Sequence, residues 1–240
     1  GNAYKGSSEW LIIEADESDG SIVNYSPWLS CILNVSLDHQ PLNTVIKLFK
    51  SLVGHSEISV VNGDDPNLGS LSSTKKFGLT NTADIYPESF SSSNHQVQIT
   101  MDHNTITYPF PGDFSVQNVI AAISVCMMAG IPLSKLTPAV EHFKGIDRRY
   151  DRYNSQSGTL IVDDYAHNPE KIHAILTTIQ KQTPSVIALF QPHGFGPTRF
   201  MFDDLVAMFS QDLRAQDVMI FLPIYYAGGT ANRSVSSDQL

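Results

Sequence analysis

The chain has 240 residues, 42% hydrophobic and 16% charged, and 15 basic against 24 acidic side chains give a net charge of −9. That apolar content excludes global disorder, and the charge sign, with no Lys/Arg run, excludes nucleic acid held on a broad basic face. Cys31 and Cys126 sit in apolar stretches, which excludes a disulfide-stapled secreted scaffold. No apolar stretch reaches the ~18 residues needed to cross a bilayer and no charged-then-apolar leader is visible, so a cytoplasmic chain without a membrane partner is expected.

Residues 10–15 and 29–35 read as buried strands, and the apolar spacing over 44–53 predicts an amphipathic helix. A strand over 58–61 closes on the turn Asn62-Gly63-Asp64-Asp65-Pro66. Residues 69–95 are polar and Ser-rich and predict loops around one short strand at 76–79. Strands 97–101 and 105–108 flank Asp102-His103-Asn104, a hairpin. Helices follow over 115–129, stopped by Gly130, and over 134–143. Residues 144–149 break the pattern, which places a domain boundary there, at 145/146. Beyond it, strands 159–163, 185–190 and 217–222 alternate with helices 169–180 and 199–209, the spacing of parallel βαβ units. Two α/β domains are expected, residues 1–145 and 146–240.

Candidate chemistry gathers where strands end. Glu14-Ala15-Asp16-Glu17-Ser18-Asp19 follows the first strand. Ligands collect beyond the carboxyl ends of parallel strands, and carboxylates there suit Mg²⁺. A solvated acidic loop explains the same composition equally well; an EF-hand does not, because Pro27 stands where its twelfth-position Glu belongs. Asn34 to His39 ends the next strand, and His39 is a residue type that ligates metals or moves protons, although a lone His is more often structural. Asp163-Asp164-Tyr165-Ala166-His167-Asn168-Pro169 sits at a strand-to-helix turn. Asn168 and Pro169 are capping chemistry; the paired Asp and the His exceed what a cap needs. Gln191-Pro192-His193-Gly194-Phe195-Gly196 follows another strand, but Arg199 stands where a dinucleotide fingerprint requires its third glycine. Gly1 to Ser8 imitates the spacing of a phosphate-binding P-loop, with Ser7 in place of the lysine.

Taken together, these motifs resemble the Mur ligases, in their order and along nearly the whole chain. Glu14 to Ser21 is similar to the family's acidic motif and Asn34 to His39 to its metal-histidine motif. Pro111-Gly112 with Asn118 is similar to its adenine-side helix start, and Phe143 to Arg149 to its interdomain signature. Asp163 to Pro169 and Phe190-Gln191-Pro192-His193 are similar to its C-terminal nucleotide and substrate loops. The resemblance implies a central ATPase-type domain, with a mixed sheet and helices, followed by a Rossmann-like parallel α/β C-terminal domain. It also implies that this chain lacks the P-loop segment and the end of the last domain, leaving a sheet edge that invites self-association and a 240-residue piece without ligase activity of its own.

By the same resemblance the intact parent uses ATP and Mg²⁺ to join an amino acid, L-alanine in the nearest branch, to a UDP-N-acetylmuramate-type carboxylate through an acyl phosphate. Glu14 and His39 would hold Mg²⁺. Phe114 and Asn118 would face adenine, Arg149 would meet the phosphates and Asp164 the ribose. His167, His193 and Arg199 would line the amino-acid side. The sequence departs from the branch at Gly112-Asp113-Phe114-Ser115, where Gly-Arg-His-Asn is usual, and at Gly194 and Pro197, where arginines are usual. Three rival readings follow: a related ligase adding a peptide or another amino acid, a degenerate module that binds nucleotide without turnover, and an NAD-binding domain.

Overall fold

The computed structural model describes residues 5–35, 40–93, 95–226, 228, 230 and 232–240. Strands β1 (Leu29–Ile32), β2 (Ile58–Asn62) and β3 (Lys75–Phe77) form a parallel sheet in the order β1-β2-β3. The helix α1 (Leu42–Gly54) connects the first two. Along β2 the side chains alternate between two cores, as they must on a pleated strand covered on both faces. Val61 packs with Val45, Phe49 and Leu52 of α1, whereas Val60 faces α2 (Asp113–Met128). A second, antiparallel sheet carries β4 (Ser89–Ser92), β5 (Val97–Met101) and β6 (Asn104–Tyr108). Val97, Ile99 and Ile106 of that sheet and Leu133 and Leu136 of α3 (Leu133–Glu141) complete the core around Val116, Ile120 and Ile123 of α2.

After residue 150 come β7 (Asp151–Asn154), β8 (Leu160–Asp163), α4 (Pro169–Gln180), β9 (Ile187–Phe190), α5 (Phe195–Phe200), α6 (Phe202–Asp212) and β10 (Val218–Phe221). Strands β9 and β10 are parallel and rest on Met201, Leu205, Met208 and Phe209. The architecture is α/β, as the sequence pattern predicts, and the hairpin, α2, α4 and β10 fall within a few residues of their expected places. The hairpin turns on two residues, Asp102 and His103, both at positive φ (47° and 60°), a geometry that matches the twist of the paired strands.

Five expectations need correction. Residues 10–15 are not a strand: Leu11 and Ile12 are 81% and 92% exposed. Their apolar side chains look strand-like, but a strand exists only with a ladder partner, and none of the described residues pairs there; Trp10 instead meets the edge of Trp28 at 5.1 Å. Strand β1 stops at Ile32 because side chains take over its backbone groups: Asn62 Nδ2 donates to the Leu33 carbonyl and the Val35 amide donates to Asp65. Strand β8 pairs antiparallel with β7, a strand the sequence pattern missed, and shares no ladder with β9 among the described residues, so the first βαβ unit is not formed as expected. Arg148 and Tyr150 at φ 59° and 55° turn the chain just before β7, which lets it run back against β8. The helix expected over 199–209 is two helices broken at Met201, and β4 emerges from the Ser-rich stretch read as loop.

Candidate active site

The acidic loop is built on turns. Asp16 Oδ1 accepts from the Ser18 amide and Asp19 Oδ1 from the Ser21 amide, each at 2.8 Å, around Gly20 at φ +74°. The Ser21 hydroxyl and amide hold the Asp19 carboxyl below its ordinary value. Glu14 is exposed and has no hydrogen bond or ion pair to any described residue, so its oxygens remain open to a hard cation. His39 lies outside the described residues. Its neighbour Gln40 donates through Nε2 to the Ser18 carbonyl, which draws the segment after β1 to the acidic loop. No group of three or more His, Cys, Asp or Glu side chains gathers as a metal centre among the described residues. Of the two expected Mg²⁺ ligands only Glu14 lies among the described residues, an exposed carboxylate of the type a hard cation takes.

The start of α2 meets α4. Gly112 has φ +96°, and a Cβ there would come within 2.8 Å of Thr178 Oγ1 and 2.6 Å of the Phe114 ring. Phe114 packs against Tyr150, with ring centres 6.3 Å apart, while Asn118 is exposed on the next turn. Asp113, the charge reversal noted in the sequence, lies 3.6 Å from Lys181 Nζ just beyond α4. Asp164 is anchored to the backbone: its two oxygens each accept one bond, from the Tyr150 and Ala166 amides, at 2.8 and 2.7 Å. Burial pushes its carboxyl up, against those amides and the charge of Arg149. Arg149 itself is exposed.

Beyond β8 and β9 lies a cavity of about 260 Å³. Tyr165, His167, His193 and Thr198 supply its polar groups, and Phe190, Met201 and Leu205 are among its apolar walls. Tyr165 touches both imidazoles, with ring centres 5.4 Å from His167 and 6.5 Å from His193, and Tyr225 stacks on His193 at 5.1 Å. Arg199 is not in the lining: it is exposed, and its Nη1 donates to the Asn232 carbonyl. So the fold brings His167 and His193 together and leaves Arg199 outside.

Residues 3–126 match the Mur ligase middle domain, and residues 148–240 match the Mur ligase glutamate ligase domain. The chain belongs to the Mur ligase family. Among its relatives, the UDP-N-acetylmuramate–L-alanine ligase of Synechococcus sp. (strain RCC307) is 31% identical over 262 residues, covering 100% of this chain and 54% of the relative. The enzyme of that name from Desulfosudis oleivorans is 30% identical, covering 95% and 53%. This Mur ligase chain thus spans about half the length of the curated relatives it matches. Among solved structures, the UDP-N-acetylmuramate–alanine ligase of Thermotoga maritima superposes with a TM-score of 0.67 at 21% identity, over 86% of this chain and 54% of that one. The Thermotoga maritima MurF ligase, solved in complex with ADP, gives 0.58 at 14% identity, over 89% and 60%.

Several residues of this Mur ligase around the cavity are not among the site residues the motifs predict. Tyr165 lies within the turn at 163–169 without an expected role, and none is expected for Thr198 or Tyr225. Arg148 lies in the 143–149 stretch, also without an expected role, and its guanidinium sits 4.8 Å from the centre of the Tyr165 ring. Asn62 and Asp65, read only as turn residues, hold the chain that leads toward His39. Aromatic and polar residues scattered in sequence become a wall only after β8 and β9 are placed.

Proposed function

We propose that this chain is part of an ATP-dependent ligase that joins L-alanine to UDP-N-acetylmuramate in the cytoplasm, for peptidoglycan precursor synthesis, with the domain boundary at 145/146. The observation that carries the reading is the cavity shared by His167 and His193, in a chain whose whole length aligns with about half of an L-alanine ligase. In the reaction, a carboxylate oxygen of the sugar nucleotide attacks the γ-phosphorus and ADP leaves. The amine then attacks the acyl carbon, phosphate leaves and the nitrogen sheds its proton.

The reading gives each residue a physical task. Glu14, with His39, would hold Mg²⁺, which supplies charge neutralisation at the phosphates. Arg149, exposed beside Asp164, is placed to meet phosphate oxygens with a planar fork of donors. Asn118 offers amide hydrogen-bonding groups to adenine from the second turn of α2, with the ring of Phe114 facing the base. Asp164 keeps lone pairs for ribose hydroxyls beyond the two backbone bonds it accepts. In the cavity the imidazoles of His167 and His193 orient the amine, and the apolar wall of Phe190, Met201 and Leu205 excludes water from it. The apolar run at residues 10–13 supports self-association of the chain when it is separated from its parent.

The test is ADP release by the full-length protein with UDP-N-acetylmuramate and a panel of amino acids and short peptides. Turnover with L-alanine is expected. Turnover only with another amine would move the reading to a related ligase. No turnover with any amine, alongside intact nucleotide binding, would refute it in favour of a non-catalytic module.

A further inference from the structure

Arg148 and Arg149 are adjacent, yet they lead different lives. Arg148 is held at φ +59°, with its amide donating to Asp151 and its carbonyl accepting from the Tyr165 amide at 2.9 Å. Those two backbone bonds fix where its side chain starts. The guanidinium then lies 4.8 Å from the centre of the Tyr165 ring, with Nε 4.0 Å from Asp163 Oδ2. Tyr165 is a wall of the cavity, and its ring touches both His167 and His193. A cation over an aromatic face restrains the ring, and that restraint passes to whatever the ring contacts.

We propose that Arg148 is a positioning residue for the amine: it acts through Tyr165 to hold the aromatic wall against which the two imidazoles orient the incoming amino acid. The inference rests on the function proposed above. It divides the arginine pair into two roles, Arg148 toward the amine cavity and Arg149 toward the phosphates. Arg148 thus both bonds Tyr165 through its backbone carbonyl and covers that residue's ring with its side chain.

The experiment is steady-state kinetics on the full-length protein carrying Arg148→Ala, Arg148→Lys, Tyr165→Leu or the Ala/Leu pair. A cation–π contact this exposed is worth about twofold to fivefold in affinity. Arg148→Ala is therefore expected to raise KM for the amine by about that factor, with kcat and KM for ATP within about twofold of wild type. Arg148→Lys keeps a cation over the ring and should recover most of the loss. The pair should be no worse than Tyr165→Leu alone, because both substitutions remove one interaction. A raised KM for ATP with the amine KM unchanged would overturn the inference, and so would additive effects in the pair or no change at all. An inactive wild type would sink the ligase reading itself and this inference with it; an active wild type with an unaffected Arg148→Ala would sink only the inference.

Discussion

Replacing Asp217 by Asn would test how the region around the cavity is held. The Asp217 side chain is fully buried and accepts five hydrogen bonds, from the Val186 amide, the Arg214 amide, Arg214 Nε and Nη2, and Gln180 Nε2, all at 2.9–3.0 Å. One carboxylate thereby ties the end of α4, the entry to β9 and the turn into β10. Asparagine keeps the volume but turns one acceptor into an NH₂ that faces donors, and removes the charge opposite Arg214. Hydrogen bonds to charged groups are worth about 1.5–3 kcal/mol each, and breaking a buried ion pair from one side costs about 3–5 kcal/mol. Allowing for non-additivity and for the partial exposure of Arg214, a loss of about 3 kcal/mol at pH 7 is expected.

The pH dependence has a definite sign. The Arg214 side chain, with the other donors, holds the Asp217 carboxyl well below the usual carboxylate range. Its contribution is therefore fully present above the unfolded value of about 3.9 and is lost as pH falls below it toward the folded value. Urea denaturation followed by far-UV circular dichroism, at several pH values, would measure both effects. The wild type should be the more stable protein at pH 7, and the gap should narrow steadily below about pH 4. A loss under about 1 kcal/mol, or a gap that stays constant into acid, would refute the reasoning.

Two other outcomes follow from the structure. Gly145→Ala should destabilise the bend between α3 and β7 by about 2 kcal/mol or more, read as a lowered urea midpoint, because φ is +92° and the new Cβ would meet Phe110 Cζ at 2.5 Å. Burial pushes the Cys31 thiol up to about 12 and the Cys126 thiol upward as well, so thiol reagents at pH 8 should label both slowly in the native protein and rapidly in urea; fast native labelling of Cys31 would contradict its placement.

Local chemistry carried a large part of this protein. The hairpin was legible because alternating apolar residues bracket a turn, and α2 because its apolar residues repeat at helical spacing before Gly130. Asn168 and Pro169 announced the start of α4, where the Asn168 side chain accepts from the Lys171 amide. The order of acidic, histidine and aspartate motifs was enough to point to the family, since motif spacing is itself a property of the sequence. What the sequence could not decide was non-local. Residues 10–15 have the composition of a buried strand, but burial needs a partner strand, and no side chain encodes that partner's presence. The pairing of β8 with β7 instead of β9 follows from two residues at positive φ in the bend before β7, which neither Arg148 nor Tyr150 advertises by type. The cavity likewise exists only after folding: Tyr165 and His167 follow β8, His193 and Thr198 follow β9, and only the folded chain makes those two segments neighbours. Ladder pairing and side-chain convergence depend on distances between segments far apart in the chain, and only the tertiary structure sets those.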